Sequence, residues 1–570
     1  MTRSSVAVAA QRALASRLRS VAPILLHPLA APECCPDPAV DAAEVFEQIV
    51  GAVEKDPGAD RIWLLLTAMS AVYPTRSEVD STRRRFELES SIDLRMQLLD
   101  GSLEKVRAMG TATTEIEVLI GAVVVDVDHS AKHDLHTGIQ RVSRNLLPLW
   151  DTERDIVPAA WSGTTTALRR LTRDESDRVI RWVERDAAKM TATETGAKKQ
   201  DTWADATDES STDESSTDES STDESGTDDP SSQEWTAEDA GTARANAEVP
   251  PERMVVPWRS VVVMVEVPPP DANDRLAAVG SVSGNKLVGI AYDAIPVVSA
   301  DAVPPVESMK FARYLTAVKF ASRMAGISAA ATAEIGGFVR MLPTQGLVGP
   351  MVTEVSLPAT GRAPGPRPTE RRAPGGVPTV LSVGSHEPRK NHLAILYAAE
   401  MLWRSGLRFS LEFIGGSGWG DDFPRRAADL KAAGRPVEVR KSVTDAELHH
   451  ALSTALFTVF PSLHEGYGLP VAESMAHGTP VITSNFGSMA EIAADGGALT
   501  IDPRDDSALT EAMRTLLTKP AELARLTREI AKRPRRGWAD YAAELWDAIV
   551  EPELAVLAPP RSPALATEGA

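Results

Sequence analysis

Two hydrophobic patterns divide this chain of 570 residues. Between residues 36 and 115, apolar residues recur every three or four positions, which is the period of an amphipathic helix. From residue 116 onwards, short continuous apolar runs alternate with helical patterns. Such alternation favours parallel sheets covered by helices, the doubly wound α/β class. The chain is therefore predicted to contain a helical accessory domain followed by α/β domains.

The first α/β domain is predicted over residues 116–358. Its opening apolar run, 116–128, is predicted to be one continuous strand, followed by a loop and an amphipathic helix. The remaining elements predicted for this domain are strands at 254–267 and 286–296, a helical segment at 306–338 and a short strand at 351–357.

A strongly acidic segment interrupts this domain at residues 190–250. Residues 207–225 hold four copies of Thr-Asp-Glu-Ser with a period of five, which matches neither a helix face nor a strand face. Residues 201–250 carry 16 acidic residues and one arginine, and therefore most of the net charge of −20. Because it has too few apolar residues to form a core, the segment is predicted to be a disordered surface insertion.

The second α/β domain is predicted over residues 379–550, after a Pro-, Gly- and Arg-rich linker at 359–378. Strand and helix patterns alternate throughout it, which demands parallel pairing with right-handed crossovers. It ends with an amphipathic helix at 537–550. The ends of the chain, 1–35 and 551–570, are predicted to be flexible.

Charge and cysteine content narrow the class of protein. Outside the acidic segment the chain is only mildly acidic, and it has no basic stripe that would indicate nucleic acid binding. The two cysteines, Cys34 and Cys35, are adjacent, which suits a reducing cytoplasm better than a disulfide framework. Arginines interrupt the first twenty residues, so a secretory signal is not expected. A basic amphipathic helix lying on the inner face of a membrane remains an alternative for them.

The most informative motif spans residues 461–491 and contains two glutamates eight positions apart, Glu465 and Glu473. An apolar strand pattern at 455–462 precedes it, Pro470 suits the first turn of a helix, and Gly478 suits its end. Glu465 is thus predicted on a loop at the carboxyl end of a strand, where open α/β sheets bind ligands. The free amides of the following helix start favour a phosphate.

This segment resembles the E-x7-E signature of retaining glycosyltransferases with the GT-B fold, family-4 type. The resemblance implies two Rossmann-like domains, with the nucleotide-sugar donor bound mainly to the second and the acceptor to the first. It implies that Glu473 holds the ribose diol and Glu465 contacts the donor sugar. The amides expected to meet sugar and diphosphate are those of Gly466, Tyr467, Gly468 and Leu469.

A basic loop, residues 382–392, is similar to the donor-phosphate loop of the same family. The resemblance assigns the diphosphate clamp to Arg389 and Lys390 and places Gly384 at the donor. Breaking a glycosyl–phosphate bond builds negative charge on the leaving oxygen, which fixed cations stabilise in the transition state. Many relatives carry an arginine where this chain has Ser385, which increases the importance of Lys390.

Several first-domain residues resemble cleft positions of the family. Thr137, Gly138 and Arg141 are expected to face the cleft, although a Thr-Gly pair also serves simply as a helix cap. Tyr292 and Asp293 end a strand where similar enzymes often have His-Asp, so Tyr292 weakens the assignment while Asp293 remains a sugar or acceptor contact.

A competing hypothesis rests on Asp126 and Asp128, an Asp-x-Asp motif that holds a metal ion in glycosyltransferases of the GT-A fold. Its position in the first strand, upstream of a GT-B pattern, favours the prediction that neither a metal nor another cofactor is required. The function expected from the resemblance is transfer of a sugar, GDP-mannose being the first donor considered, to a glycan or lipid-linked acceptor. The alternatives are a phosphorylase or nucleotide-sugar epimerase of the same fold, and a non-catalytic sugar-binding scaffold.

Overall fold

The computed structural model describes residues 3–26, 41–134, 137–182, 253–358, 376–441, 443–534 and 536–558. The predicted disordered insertion at 190–250, nearly all of the predicted linker at 359–378, and both cysteines lie outside these residues. Within the described part, no helix is both long and apolar enough to cross a membrane.

Five helices form the accessory domain at the amino-terminal end. They are α1 (Arg3–Leu26), α2 (Ala42–Lys55), α3 (Ala59–Ser70), α4 (Arg76–Leu88) and α5 (Ser91–Met109). Threonine and serine residues cap the last two of these helices, Thr75 through a capping box with Glu78 and Ser90 through the amide of Asp93. The described part of the predicted accessory segment, 36–115, is therefore helical up to Met109.

Helix α1 corrects the prediction of a flexible terminus at 1–35, because residues 3–26 are helical and packed against α2 and α3. Its side chains at positions 18, 21, 22 and 25 are buried, and this spacing forms one apolar face. Arg17 is also buried, with Nε 2.8 Å from the Ala68 carbonyl oxygen and Nη1 2.9 Å from that of Thr114. The alternative of a helix lying on a membrane is wrong for the same reason, since the apolar face is occupied.

A nine-stranded sheet forms the first α/β domain. Its strands are β1 (Glu115–Ile120), β2 (Val123–Asp126), β3 (Ile156–Trp161), β4 (Leu168–Arg170), β5 (Arg253–Trp258), β6 (Val261–Met264), β7 (Lys286–Ala291), β8 (Arg323–Gly326) and β9 (Met351–Glu354). The spatial order is β1-β5-β4-β3-β2-β6-β7-β8-β9. The β3–β4 and β4–β5 pairs are antiparallel, and all other pairs are parallel.

Two of the strands predicted to be continuous are each split in two. The run 116–128 bends at Gly121, which has φ +65°, so that β1 pairs with β5 at the sheet edge while β2 lies between β3 and β6. The run 254–267 bends at Arg259, with φ +49°, and becomes β5 and β6. The predicted helical segment 306–338 is also wrong in its middle, where β8 separates two helices.

Helices cover the sheet of the first domain. They are α6 (Asp128–Lys132), α7 (Gly138–Glu153), α8 (Arg173–Val179), α9 (Asn273–Ser281), α10 (Ile295–Val298), α11 (Pro305–Val318) and α12 (Ala329–Met341). Short 3-10 turns lie at Pro270–Ala272, Ala300–Ala302 and Leu342–Gln345.

A six-stranded, fully parallel sheet forms the second domain, in the order β12-β11-β10-β13-β14-β15. Its strands are β10 (Thr379–Val383), β11 (Ser410–Ile414), β12 (Val437–Arg440), β13 (Phe457–Phe460), β14 (Val481–Ser484) and β15 (Ala498–Ile501). Its helices are α13 (His392–Arg404), α14 (Asp422–Ala432), α15 (Asp445–Thr454), α16 (Leu469–Ala476), α17 (Gly487–Ala493), α18 (Asp506–Thr518) and α19 (Pro520–Ile530), with a 3-10 turn at Pro388–Lys390. The strand order reverses beside β10 and β13, and this switch point is where a ligand crevice is expected.

The last helices return to the first domain. Helix α20 (Trp538–Leu545) packs on α7, and the Trp150 indole nitrogen donates to the Ala542 carbonyl oxygen at 3.0 Å. A π-helical turn, Trp546–Val550, leads into α21 (Glu551–Leu557), where Glu553 is buried and pairs with Arg323 at 2.8 Å. The predicted flexible tail is therefore wrong for 551–557, while residues from 559 onwards lie outside the described residues.

Candidate active site

Both glutamates of the sequence motif follow β13, at the switch point where a ligand crevice is expected. The loop after β13 carries Glu465, and α16 carries Glu473; each residue is only 8% exposed. Gly468 precedes α16 with φ +101°, a conformation that favours glycine. The sequence motif therefore folds as predicted, with one glutamate on a loop and the other on the first turns of a helix.

Glu465 lies between two cations. Its Oε1 accepts from Lys390 Nζ at 2.6 Å and from Ser462 Oγ at 2.5 Å, while Oε2 accepts from Arg389 Nη1 at 2.9 Å. Burial alone would raise the pKa of Glu465, but the two cations outweigh it and lower the pKa to about 2. The carboxylate is therefore ionised throughout the physiological range and holds both cations in place.

Arg389 and Lys390 occupy the 3-10 turn before α13. Arg389 also pairs with Glu387 at 2.7 Å and donates to the His464 carbonyl oxygen at 3.1 Å. Burial would lower the pKa of Arg389, yet the charges of Glu465 and Glu387 raise it above its ordinary value. Lys390 is 8% exposed and lies 5.2 Å from the ring centre of Phe460. The structure thus brings the two predicted phosphate cations to the predicted sugar carboxylate.

Gly384 immediately follows β10. A Cβ on Gly415 would lie 1.9 Å from the Gly384 carbonyl oxygen, so the loops after β10 and β11 cross in backbone contact. A Cβ on Gly384 itself would lie 3.8 Å from carbon atoms of Lys390. The glycine-rich segment 411–420, of which 415–420 is a loop, therefore packs against the loop after β10, and its contact with a nucleotide base stays a prediction.

Glu473 forms an ion pair with Arg141, which α7 of the first domain contributes. A Cβ on Gly138 would lie 3.6 Å from Leu469 Cδ1, so the start of α7 faces the start of α16. Thr137 caps α7, with its amide donating to Gln140 Oε1 at 3.0 Å. Arg141 and Gly138 therefore face α16 of the second domain, and their role toward an acceptor stays a prediction, whereas Thr137 serves as a helix cap.

Tyr292 corrects a prediction, because its side chain points into the first domain rather than the cleft. It is 7% exposed, and its hydroxyl donates to the Val265 carbonyl oxygen at 2.6 Å. Its backbone is what meets the second domain: a Cβ on Gly466 would lie 2.3 Å from the Tyr292 carbonyl oxygen and 3.1 Å from Asp293 Oδ2. The phenol of Tyr292 therefore belongs to the core of the first domain.

Asp293 lies at the cleft beside Gly466. Burial raises the pKa of its carboxyl to about 6. The Ile295 amide, which donates to the carboxylate at 3.1 Å, and the charge of Arg389 both oppose this increase. Glu334 raises this pKa as well. A carboxyl with this pKa can accept or donate a proton near neutral pH, which suits a group facing sugar hydroxyls.

Three site residues were missed at the sequence level: His464, Glu334 and Ser299. His464 Nδ1 lies 2.7 Å from Ser299 Oγ, and its Nε2 lies 2.6 Å from Glu334 Oε1. Burial opposes protonation of His464, but the ion pair with Glu334 and the charges of Asp293 and Glu465 raise its pKa. His464 immediately precedes Glu465, so its place in the motif was a usable signal, whereas the two first-domain residues have no local signal.

Further bonds join the two domains around the crevice. Ser328 caps α12 and donates to the Gly466 carbonyl oxygen at 2.6 Å, and Tyr467 donates to the Leu357 carbonyl oxygen at 2.7 Å. Glu491 of α17 accepts from the amides of Ala329 and Ala330 at 2.9 and 2.8 Å. Tyr467 is thus a structural anchor through its side chain, and only its amide remains a candidate for donor contact.

Asp126 and Asp128, the residues of the metal hypothesis, are both bonded within the first domain. Asp126 accepts from the Trp161 indole nitrogen at 2.8 Å, and Asp128 accepts from the Trp161 amide at 2.8 Å and pairs with Lys132 at 2.7 Å. Burial raises the pKa of Asp126 to about 8, with the charge of Asp128 adding to it. Among the described residues no cluster of side chains is arranged to hold a metal ion.

Comparison with known proteins identifies the second domain. Residues 368–533 match the family model described as Glycosyl transferases group 1. The chain is 34% identical over 131 residues to O-antigen chain mannosyltransferase B of Escherichia coli, covering 23% of this chain and 34% of that protein. It is 38% identical over 92 residues to the MMP alpha-(1->4)-mannosyltransferase of Mycolicibacterium hassiacum, covering 16% and 22%. The chain thus spans about a third or less of the length of these relatives.

Among solved structures, an α,α-trehalose-phosphate synthase (UDP-forming) from Burkholderia xenovorans is 14% identical. The similarity covers 51% of this chain and 72% of that one, with a TM-score of 0.40.

Proposed function

We propose that this chain, in which residues 368–533 form a group 1 glycosyl transferase domain, is a retaining hexosyltransferase that uses a nucleotide-sugar donor. The observation that carries the proposal is the pair of cations on Glu465 at the carboxyl edge of the second sheet. Glu473 and the start of α16 lie beside them. This crevice offers cations for a diphosphate, free helix-start amides, and carboxylates for sugar and ribose hydroxyls.

The reaction follows from these groups. The bond between the sugar's anomeric carbon and the phosphate oxygen breaks, and the electron pair leaves with the nucleoside diphosphate. Lys390 and Arg389 stabilise the charge that develops on the departing oxygen. The acceptor hydroxyl attacks the same face of the anomeric carbon and gives its proton to the departing phosphate, so the configuration is retained. Asp293 orients the sugar or acceptor hydroxyls from the first domain.

The donor proposed first is GDP-mannose, because both sequence relatives described above are named mannosyltransferases. The acceptor is a glycan or a lipid-linked saccharide bound against the first domain. We place the reaction in the cytoplasm, in keeping with the sparing use of cysteine, at the inner face of the membrane where the acceptor is lipid-linked. No metal or other cofactor takes part.

The decisive experiment combines binding with turnover on the purified chain. Thermal unfolding is followed with GDP-mannose, GDP-glucose, UDP-glucose and dTDP-rhamnose, and a donor at 100 times its Kd adds about 2.7 kcal/mol to the free energy of unfolding. Release of nucleoside diphosphate is then measured with saccharide acceptors, in EDTA and again with Mn²⁺. NMR of the product determines the anomeric configuration.

Three results would overturn parts of the proposal. Stabilisation without any transfer or release would indicate the sugar-binding scaffold. An inverted product would exclude the retaining mechanism. Activity that EDTA abolishes and Mn²⁺ restores would return the metal hypothesis of Asp126 and Asp128.

A further inference from the structure

An apolar stripe runs along the outward face of α5 in the accessory domain. Its side chains are between 44% and 73% exposed, and they are Ile92, Met96, Leu99 and Leu103. Leu88, the last residue of α4, is also an exposed large apolar side chain, with 83% exposure. A contiguous row of large exposed apolar side chains on one helix marks an interaction surface.

The helix is firmly attached to its own domain by the opposite face. Leu94 and Leu98 are buried in the accessory core. Arg95 pairs with Glu47 at 2.6 Å and with Glu54 at 3.3 Å. Lys105 also pairs with Glu78 across to α4. The stripe is therefore held outward, and the apolar residues cannot turn inward without breaking these contacts.

The spacing of the stripe is that of a helix–helix seam. Its steps are four, three and four residues, and Val106 continues the series after three more. Alternating steps of three and four are the repeat with which two helices pack side by side. The parts of the chain outside the described residues contain no run of large apolar side chains that could cover the stripe.

One pair of charges beside the seam, Asp93 and Arg107, is complementary about a two-fold axis. When two copies of α5 run antiparallel, packing Leu99 on Leu103 of the other copy sets Asp93 of each copy beside Arg107 of the other. Asp93 and Arg107 are both exposed, and neither has an ion pair among the described residues. The same register places Asp100 near its own copy, a like-charge contact that weakens the pairing.

We propose that α5 is a homodimerisation surface, occupied by α5 of a second copy of this chain in antiparallel, two-fold symmetric packing. Such an isologous contact uses the same patch of both copies. Each apolar contact and the Asp93–Arg107 ion pair therefore occur twice, related by the two-fold axis. A helix of 19 residues is about 28 Å long and buries less than the roughly 800 Å² per partner of a standard interface. The dimer is accordingly weak, and the fraction of chains in it rises with protein concentration.

The first test is sedimentation equilibrium of the full chain over a wide range of concentration. The double variant Leu99→Glu/Leu103→Glu is expected to raise the dimer dissociation constant at least tenfold without changing the thermal unfolding midpoint. The matched control is Leu393→Glu/Met401→Glu, which changes two residues of similar exposure, 44% and 42%, on α13. A wild-type chain that stays monomeric, or a control that lowers dimerisation as much, would refute the proposal.

Charge exchange then tests the orientation. Asp93→Arg and Arg107→Asp should each weaken the dimer, the double exchange should restore it, and Asp100→Ser should tighten it several-fold. A double exchange that fails to restore a dimer would rule out antiparallel packing. Flotation with anionic vesicles that is lost on Leu99→Glu/Leu103→Glu, together with a monomeric chain in solution, would assign the stripe to a lipid surface and overturn the proposal.

Discussion

At the scale of single residues, the site is organised by buried charges that neutralise one another before any ligand binds. Glu465, Arg389 and Lys390 form a network in which each cation has a fixed carboxylate oxygen. In the proposed reaction, such a network would hold the cations in position at little reorganisation cost when the diphosphate binds. Substitutions that remove a charge are therefore expected to lower turnover while the fold persists. Substitutions that add atoms in a tight contact are expected to lower stability as well.

Replacing Lys390 with alanine is expected to cut turnover by about 100- to 1000-fold, because the proposed mechanism then loses one preorganised cation at the leaving oxygen. Arg389 still pairs with Glu465, so the fold should persist. Steady-state kinetics measures the loss, with Lys431→Ala on the exposed face of α14 as the control. Turnover within a few-fold of the wild type would remove Lys390 from the catalytic group.

Gly466→Ala is expected to separate the two domains locally. The added Cβ would meet the Tyr292 carbonyl oxygen at 2.3 Å, a backbone atom that cannot rotate away. We expect a loss of about 1–3 kcal/mol in the free energy of unfolding and a marked fall in turnover. Gly163→Ala, whose Cβ meets nothing within 4 Å, is the control for denaturant unfolding. Equal stability of the two variants would contradict the close approach.

Asp126→Asn is expected to flatten the pH dependence of stability. The pKa of Asp126 is raised from 3.8 to about 8 in the folded protein, so its contribution is complete below pH 3.8. This contribution to the free energy of unfolding is lost progressively as pH rises to about 8, because Asp126 ionises first in the unfolded chain. The free energy of unfolding falls with a limiting slope of roughly 1.4 kcal/mol per pH unit. Urea unfolding between pH 5 and pH 8 should show this slope in the wild type and a smaller one in the variant. If the free energies of unfolding of the wild type and the variant changed equally with pH, the raised pKa of Asp126 would be contradicted.

At the scale of elements, α1 and the bent strands determine how the accessory domain joins the first sheet. β1 pairs with β5 at the sheet edge next to the helices, and α1 packs against β1 as well as against α2 and α3. The buried guanidinium of Arg17 spans α3 and the segment before β1 through three carbonyl oxygens. Burial lowers the pKa of Arg17 to about 10, which leaves it charged at neutral pH.

Replacing Arg17 with methionine is expected to lower the free energy of unfolding by about 2–4 kcal/mol, because it leaves buried carbonyl oxygens without donors. Thermal or denaturant unfolding of the full chain measures the change. The control is Arg12→Met on the exposed side of the same helix, expected to stay within about 0.5 kcal/mol of the wild type. If both variants behaved alike, Arg17 would not anchor α1.

The second domain was predicted well from the sequence because its determinants are local. The strand, turn and helix around Glu465 and Glu473 are consecutive, so apolar runs, Pro470 and Gly478 were sufficient. Long-range partners were not predictable in this way. Ser299 and Glu334 reach His464 only because two domains meet, and the split of β1 from β2 depends on which distant strand each one pairs with.

At the scale of the whole molecule, polar bonds tie the two domains across the crevice. Arg141 on Glu473, Ser328 on Gly466 and Glu491 on the start of α12 each join groups far apart in the chain. If Glu473 binds the donor ribose as proposed, the nucleotide competes with Arg141 for the same carboxylate. Donor binding and the arrangement of the domains would then be linked.

Arg141→Ala is therefore expected to strengthen nucleoside diphosphate binding by about fivefold. The nucleotide no longer has to displace an ion pair worth about 1 kcal/mol, which corresponds to about a fivefold change in Kd. Calorimetry of the variant measures it, with Arg83→Ala in the accessory domain as the control. The double variant Arg141→Ala/Glu473→Gln should lose this increase in nucleoside diphosphate affinity. Weaker binding in Arg141→Ala would instead make this guanidinium a ligand of the nucleotide.

The pairing of β1 with β5 also has a consequence for the acidic insertion. About half of the chain that separates these two strands lies between Trp182 and Glu252. The entropy of closing a flexible loop grows only with the logarithm of its length, so doubling the loop costs about 0.6 kcal/mol. If residues 190–250 are disordered as the sequence predicts, copies of the five-residue repeat can be gained or lost at almost no cost to the sheet. A version with a short Gly/Ser segment in their place should then refold slightly faster and keep its turnover.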